Sequence, residues 1–576
     1  MDKLISTNID VWTAALENKS AAGRGTNNKQ TAYGIKKLRE LILELAVRGK
    51  LVPQDPNDEP ATVLLEKIAE EKARLVKEGK IKKQKALPEI GEEKSTNDIP
   101  DGWACERLGN VLNVINGRAY KKHEMLQEGT PLLRVGNLFT SNEWYYSNLE
   151  LEPDKYIDNG DLIYAWSASF GPFIWDGGKV IFHYHIWKLD LFDDLSLYKK
   201  YLYLYLLAIT EEIKASGSGI AMIHMTKERM EKLVVMVPPL AEQHRIVAKV
   251  DELMALCDQL EQQQTDSIAA HQTLVETLLK TLTDSENAEQ LAQNWAVLSE
   301  HFDTLFTTEH SIAQLKQTIL QLAVMGKLVP QDPNDEPVSV LLEKIAEEKE
   351  CLVKEGKIKK QKELPEISEE EKAFELPEGW DWIKFGYLAE FINGDRGKNY
   401  PNRSEYVEAG MPWVNTGHIE TNGHLSKTEM NFISQEKYDS LKSGKIKKGD
   451  LVYCLRGATF GKTAFVEPYN KGAIASSLMI IRPYIEELNK YIYKYLVSPL
   501  GREQIFRFDN GSAQPNLSAN SVMLYAFPLP PLAEQHRIVA KVDDLMALCD
   551  QLQAQINKAQ TTQIHLADAI VEQAIA

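Results

Sequence analysis

Apolar residues recur every three to four positions in several stretches of this chain, and those stretches predict its helices. From Gly34 onward, Ile35, Leu38, Leu41, Ile42 and Leu45 fall on one helical face, and the pattern stops at Gly49. A near copy of Ile35 to Lys50 returns as Ile312 to Lys327. After Leu240, the residues Ile246, Val250, Leu253, Cys257 and Leu260 alternate in four- and three-residue steps, the seam of a coiled coil, until Gln264, Ser267 and His271 interrupt it. A twin seam of Ile538, Val542, Leu545, Cys549, Leu552 and Ile556 follows Leu532. Each long helix is expected to run about 43 residues, or about 65 Å at ~1.5 Å per residue. The matched seams predict that the two helices pack antiparallel on each other.

Further repeats join these helices into a circle. Residues 51–85 recur almost unchanged at 328–362, displaced by 277 positions. Asp58, Glu59 and Pro60 make a helix start, and Leu64, Leu65, Ile68 and Leu75 give its apolar stripe. The lysine cluster Lys80 to Lys85, repeated as Lys357 to Lys362, is either a phosphate or partner grip or a solvated helix end. Pro238 to Asp251 returns as Pro530 to Asp543, so the middle of the chain is its C-terminal end joined to its N-terminal end. If the termini meet in space, the body closes with a pseudo-two-fold axis.

Between the helices the pattern changes to short β-branched and aromatic runs broken by Gly and Asn, which predict strands and hairpins. DLIYAWSASFGPFIW (161–175) and DLVYCLRGATFGKTAFV (450–466) are examples. The segments open at Ile99 to Trp103 and Leu376 to Trp380, 277 positions apart, and close at PPLAEQ motifs 292 apart, which makes the second about 15 residues longer. Inside them the likeness thins to points such as Ile115-Asn116-Gly117 with Ile392-Asn393-Gly394 and Gly160 to Tyr164 with Gly449 to Tyr453. The expected organisation is a helical region 1–99, a first globular domain 100–237, a helical spacer 238–375, a second globular domain 376–529 and a C-terminal helix 530–576. The expected fold class is α+β: two mixed, strand-rich domains separated by long antiparallel coiled-coil helices, with circular pseudo-two-fold symmetry.

Composition narrows the function classes. Apolar residues make up 43% and charged residues 26%, as in soluble globular proteins. No run of about eighteen apolar residues occurs, and MDKLISTNIDVW lacks a signal peptide's apolar core, so a cytoplasmic location without membrane contact is expected. The five cysteines form no CxxC pair, which argues against a zinc site or a disulfide framework. A net charge of −17 by itself argues against nucleic acid, but residues 100–237 carry −4 and residues 374–529 carry +1. The acidity sits mainly in the helical repeats.

Catalytic chemistry is not legible. Arg456 to Thr463 resembles a phosphate-cradling loop, yet that motif requires glycine where Arg456 stands. There is no HExxH, no GxSxG, no metal-spaced Cys/His cluster and no NPP-aromatic motif for gripping a flipped base. The repeated His244 and His536 stand at helix starts, where capping or domain contact explains them. Trp103 and Trp380 are expected as core anchors. The residues suited to nucleic acid are loop donors. In the first globular segment these are Arg118, Tyr120, Lys121, Lys122, Arg134, Asn137, Ser167, Ser169 and His224; in the second, Arg396, Lys398, Arg403, Asn415, His418, Arg456, Thr459, Lys462, Gln514 and Asn516. Any one of them could be a solvated loop charge; their recurrence at corresponding places raises the group above that.

Two dissimilar domains, each opened by LPEGW-like residues, closed by PLPPLAEQHRIVAKVD-like residues and alternating with repeated helices, resemble the specificity subunit of a type I restriction-modification system. The N-terminal IKKLRELILELAVRGKLVPQDPNDEP and its repeat are most similar to the type IB branch. The resemblance covers essentially the whole chain. It implies two target-recognition domains, each reading one half of a split double-stranded DNA site. The helices would set the gap and dock two modification subunits and, through them, two restriction subunits. S-adenosylmethionine, ATP and Mg²⁺ would belong to those partners, with no cofactor, metal or catalytic residue in this chain. Spacer and docking roles would fall to Glu242, Gln243, Arg245, Ile246, Val250, Leu253, Glu534, Gln535, Arg537, Ile538, Val542 and Leu545. A coiled-coil scaffold presenting two protein-binding domains is the alternative.

Overall fold

The computed structural model describes residues 1–19, 29–90, 99–167, 169–215, 225–286, 288–397, 399–457, 459–508 and 517–576. The chain divides into two compact units, 1–267 with 559–576, and 268–558. The helical periodicity is realised where expected. A bracing helix spans Tyr33–Val47, the two long helices span Leu240–Thr283 and Leu532–Ile575, and the second bracing helix spans Glu309–Val324. Both bracing helices end at a left-handed glycine, Gly49 (φ 68°) and Gly326 (φ 69°), where a side chain would also strike the ring of Pro100 or Pro377 at 2.5 Å.

In the first unit, Arg39 pairs with Asp258 and Glu261, while Gln54, beyond the helix end, reaches Glu242. The bracing helix therefore runs antiparallel to the first long helix. Tyr33 bonds Asp568 and Lys50 bonds the carbonyl of Ile575, so it runs parallel to the tail of the second long helix. The beginning of the first long helix and the end of the second thus lie antiparallel. The second unit repeats this arrangement: Lys316 pairs with Asp550 and Gln331 with Glu534, while Gln314 reaches Glu276 and Lys327 the carbonyl of Thr283. There the beginning of the second long helix lies antiparallel to the end of the first.

The expected antiparallel orientation is present within each unit, but the packing partners differ from the expectation. The seam Ile246, Val250, Leu253, Cys257 and Leu260 shares a core with Ile35 to Leu45 and with Ala567, Ile570, Val571 and Ala574. The seam Ile538, Val542 and Cys549 shares one with Ile312, Leu315, Ile319, Val275, Leu279 and Leu282. Each seam meets the far half of the other helix, not the other seam, and a bracing helix fills the third side. Each fully buried aliphatic side chain there contributes about 1.5–3 kcal/mol.

Each unit carries one globular domain, tied to the helices at its base. In the first, Ala104–Arg107 pairs antiparallel with Val234–Val237, so the opening and closing strands lie side by side. Above them stand two four-stranded sheets. One orders Leu112–Asn116, Ile186–Leu191, Leu162–Ser167 and Ser169–Ile174, all antiparallel; the other orders Tyr145–Ser147, Thr130–Leu133, Val180–Phe182 and Tyr156–Ile157, with the middle pair parallel. The second domain pairs Asp381–Lys384 with Ala526–Leu529, and its sheets have four and five strands. Among the described residues no helix is long and apolar enough to cross a membrane.

Candidate nucleic-acid interface

In the first domain, one edge gathers loop donors that are far apart in sequence. Strand Leu112–Asn116 pairs with Ile186–Leu191, and the chain then passes through Gly117 beneath the carbonyl of His183. A Cβ at Gly117 would lie 2.3 Å from that oxygen, so the crossing requires glycine. Beyond it, the Arg118 amide donates to the Phe182 carbonyl (3.1 Å) and the Tyr184 amide donates to the Arg118 carbonyl (3.1 Å). The His183 amide donates to the Leu133 carbonyl (3.0 Å), which brings Arg134 to the same edge. Ser167 and Ser169 face each other across the hairpin turn of the neighbouring sheet. Arg118, Arg134, Ser167 and Ser169 are thus brought together, with Lys121 and Lys122 exposed on the turn that follows.

These residues differ in how free they are. Arg118 is held by Glu124 (2.7 Å) with its guanidinium 5.1 Å from the centre of the Tyr120 ring, and its Nη1 is buried without a partner. Arg134 is exposed and lies 5.2 Å from the Tyr145 ring centre. Two expectations need correction. Asn137 shapes the turn, its Oδ1 accepting the Arg134 amide (3.0 Å) and its amide group donating to the Glu143 carbonyl (2.7 Å). Tyr120 is 8% exposed, packed with Leu132 and Ile181, and burial pushes its phenol up to about 12, so it is a core residue.

The second domain builds the same edge with other residues. Gly394 passes beneath the Ala475 carbonyl, 2.5 Å from where its Cβ would stand. Asp395 takes the place of Arg118; the amides of Lys442 and Gly397, both at 2.7 Å, hold its carboxyl below the usual range. Arg396 is left exposed, and among the described residues its side chain forms no ion pair. The Ala475 amide donates to the Val414 carbonyl (2.8 Å), which puts Asn415 where Arg134 stands in the first domain. The Leu455 amide donates to the Ser477 carbonyl (2.9 Å), as Trp166 does to His185 (3.1 Å), so Arg456 replaces Ser167.

Arg456 is half-buried with its Nε unpartnered. Thr459 lies against the Cys454 thiol (3.6 Å), and the Lys462 carbonyl accepts the Cys454 amide (2.8 Å). Arg456 to Thr463 forms a hairpin turn between strands, not the strand-to-helix loop that cradles phosphate. His418 is 4% exposed and burial lowers its pKa; its Nδ1 accepts the Asn415 amide (3.1 Å), the role of Asn137, and the expectation of a DNA contact is corrected accordingly. Arg403 is exposed on a separate turn. His224, Lys398, Gln514 and Asn516 lie outside the described residues.

Sequence reasoning passed over His183, Tyr184, His185 and Trp166, which occupy the centre of the first edge. The run FHYHIW (182–187) was the available signal, but only the pairing of Leu133 with Phe182 shows where it sits. Burial among these rings pushes His183 down to about 4, which leaves it uncharged at neutral pH.

The helical residues expected to dock partners also change role. Glu242, Gln243, Glu534 and Gln535 are at most 1% exposed and cannot meet another protein. Glu242 accepts from the Trp103 indole (3.0 Å) and from Gln54 (3.2 Å); Glu534 accepts from Trp380 (3.0 Å) and Gln331 (3.0 Å). Gln243 and Gln535 donate to the carbonyls of Pro238 and Pro530. Arg245 grips Asp58 and Arg537 grips Asp335, each pair at 2.6 Å. Ile246, Val250, Leu253, Ile538 and Val542 are buried in the cores and Leu545 is half-buried.

The family model described as the type I restriction modification DNA specificity domain matches residues 100–270 and 377–560. The chain belongs to that specificity family. Both matched segments stop where the units divide, at Ser267 and Lys558, so one family repeat is one globular domain plus the first part of a long helix. The Escherichia coli type I restriction enzyme EcoAI specificity subunit is 42% identical over 626 aligned positions, covering 100% of both chains; the EcoEI subunit, also from Escherichia coli, is 39% identical over 608 positions with the same coverage. A solved chain from work on complex assembly and conformational transition of the type I R-M system aligns at 19% identity over 83% of this chain and 98% of its own, with a TM-score of 0.47. The protein is a specificity subunit, a non-catalytic member of such systems.

Proposed function

We propose that this specificity subunit reads a split double-stranded DNA sequence, one half with each globular domain, and that its helices set the gap between the halves. One observation carries the reading: the same edge is built twice at equivalent backbone positions, with different side chains on it. Arg118 corresponds to Asp395, Arg134 to Asn415, Ser167 to Arg456 and Tyr184 to Ser476. Edges that read different bases must differ in donors and acceptors while keeping their frame. The helices, by contrast, repeat their surface. Ala248, Glu252, Ala255, Leu256 and Gln259 are exposed on the first long helix, and Ala540, Asp544, Ala547, Leu548 and Gln551 on the second, with Leu256 36% and Leu548 60% exposed. Two like faces suit two copies of one partner, the modification subunit, through which two restriction subunits would join. S-adenosylmethionine, ATP and Mg²⁺ would act in those partners.

The test is to map methylated sites for the complex carrying Arg396→Ala and for one in which residues 101–237 come from a relative. The swap should give a target new in one half and unchanged in the other, and Arg396→Ala should relax one position of the opposite half. A swap that altered both halves would end the modular reading. A purified complex that shifted no duplex from a random pool would favour the protein-binding scaffold.

A further inference from the structure

We propose that Tyr184 is a specificity residue of the first domain, and that its ring seats against the 5-methyl group of a thymine in the half-site that domain reads. The inference rests on the DNA-reading function proposed above and goes further by naming a residue and a chemical group. Tyr184 is 40% exposed although it stands between strand ends whose neighbours are buried. Both of its backbone polar groups are fixed: the amide donates to the Arg118 carbonyl (3.1 Å), and the carbonyl accepts from the Trp166 indole (3.1 Å).

Its ring is braced on both sides, with centroids 4.4 Å from His183 and 3.9 Å from His185. Behind it Trp166 stacks at 5.2 Å on Trp187, which is 1% exposed, so the ridge is continuous with the domain core. An aromatic held this rigidly loses little conformational freedom on binding. Arg118 and Arg134 flank it and supply the positive charge that draws the edge to DNA. The ridge itself offers an apolar ring, and the apolar feature of a base edge in the major groove is the thymine methyl. The second domain has Ser476 at this place, so the two half-sites should differ in this contact.

The experiment uses the chain in complex with its modification subunit, after the target has been mapped from methylated sites. Each thymine of the first half-site is replaced in turn by deoxyuridine, which deletes the methyl and leaves the pairing edge unchanged. At one thymine the wild-type complex should lose about fourfold in affinity, the value of one buried methyl group. Tyr184→Phe should keep that sensitivity. Tyr184→Ala should bind the unmodified duplex correspondingly weaker, no longer sense the methyl, and melt like wild type. Arg396→Ala should retain the full deoxyuridine effect. Insensitivity of the wild type at every thymine of that half, an undiminished effect in Tyr184→Ala, or a loss in Tyr184→Phe equal to that in Tyr184→Ala would each overturn the assignment. A wild-type complex with no split target at all would instead overturn the reading on which it rests.

Discussion

Glu242 and Glu534 show at the residue scale what the most repeated motif of the sequence accomplishes. Each is a buried carboxylate that takes an indole N–H and a glutamine amide, fastening the first strand of a globular domain to the start of a long helix. Trp103→Phe leaves that acceptor short of a donor and should cost about 1–3 kcal/mol. Trp103→Ala adds a cavity and should cost about 3–5 kcal/mol, both read from denaturant unfolding. Trp380→Phe should match Trp103→Phe because the two geometries agree; a clear difference would show that the fastenings are not equivalent. Desolvation raises the pKa of both glutamates above the ordinary 4.5. The folded state therefore holds these protons more tightly than the unfolded one, and this contribution to stability is full below pH 4.5 and lost as pH rises through the folded values. In Glu242→Gln with Glu534→Gln that decline should vanish from the melting profile; an unchanged slope would refute the assignment. Gly117 works by its lack of a side chain. Gly117→Ala should force the strand off the His183 carbonyl, cost about 1–3 kcal/mol, and weaken binding to the first half-site alone in a comparison of half-site variants.

At the scale of elements, the long helices serve two units each. Gln264, Ser267 and His271, which break the first seam in the sequence, fall where the helix leaves one unit for the other, between Ser267 and Ile268. Gln264 donates there to the carbonyl of Thr13. The second long helix changes unit between Lys558 and Ala559. Both links must therefore lengthen together. Inserting four residues after Asp266 and four after Lys558 should lengthen each link by about 6 Å, close to one helical turn. Since B-DNA rises ~3.4 Å per base pair, the target gap should widen by about one to two base pairs with both half-site sequences unchanged. Insertion in one helix alone should instead lower the melting temperature and weaken binding, because the two links would then disagree in length. Mapping of methylated sites checks the paired case; altered half-sites at a constant gap would show that the helices do not set the spacing.

At the scale of the whole molecule, the net charge of −17 limits what the chain can do alone. Repulsion from DNA falls on the helical regions, since the first globular domain is only mildly acidic and the second nearly neutral. The isolated chain should bind its target weakly, and the modification subunit should tighten binding and steepen the dependence on salt by neutralising phosphates. Equal affinity with and without that subunit at a fixed salt concentration would contradict this.

The sequence by itself determined the helices, their seams, the borders of the domains and the exchange of front and back halves. Helical periodicity and long repeats are local or self-referential, and can be read without knowing what touches what. It also found that two edges carry Arg, Asn and Ser loops at corresponding places. Only the tertiary structure decided which of those side chains face outward. Tyr120 and His418 turned inward, Glu242 and Gln243 became internal fastenings, and Tyr184 emerged between Arg118 and Arg134. The reason is strand register: Leu133 meets Phe182 and Asn116 meets Trp187, pairings between distant residues that set which side chains share an edge and that no local pattern encodes.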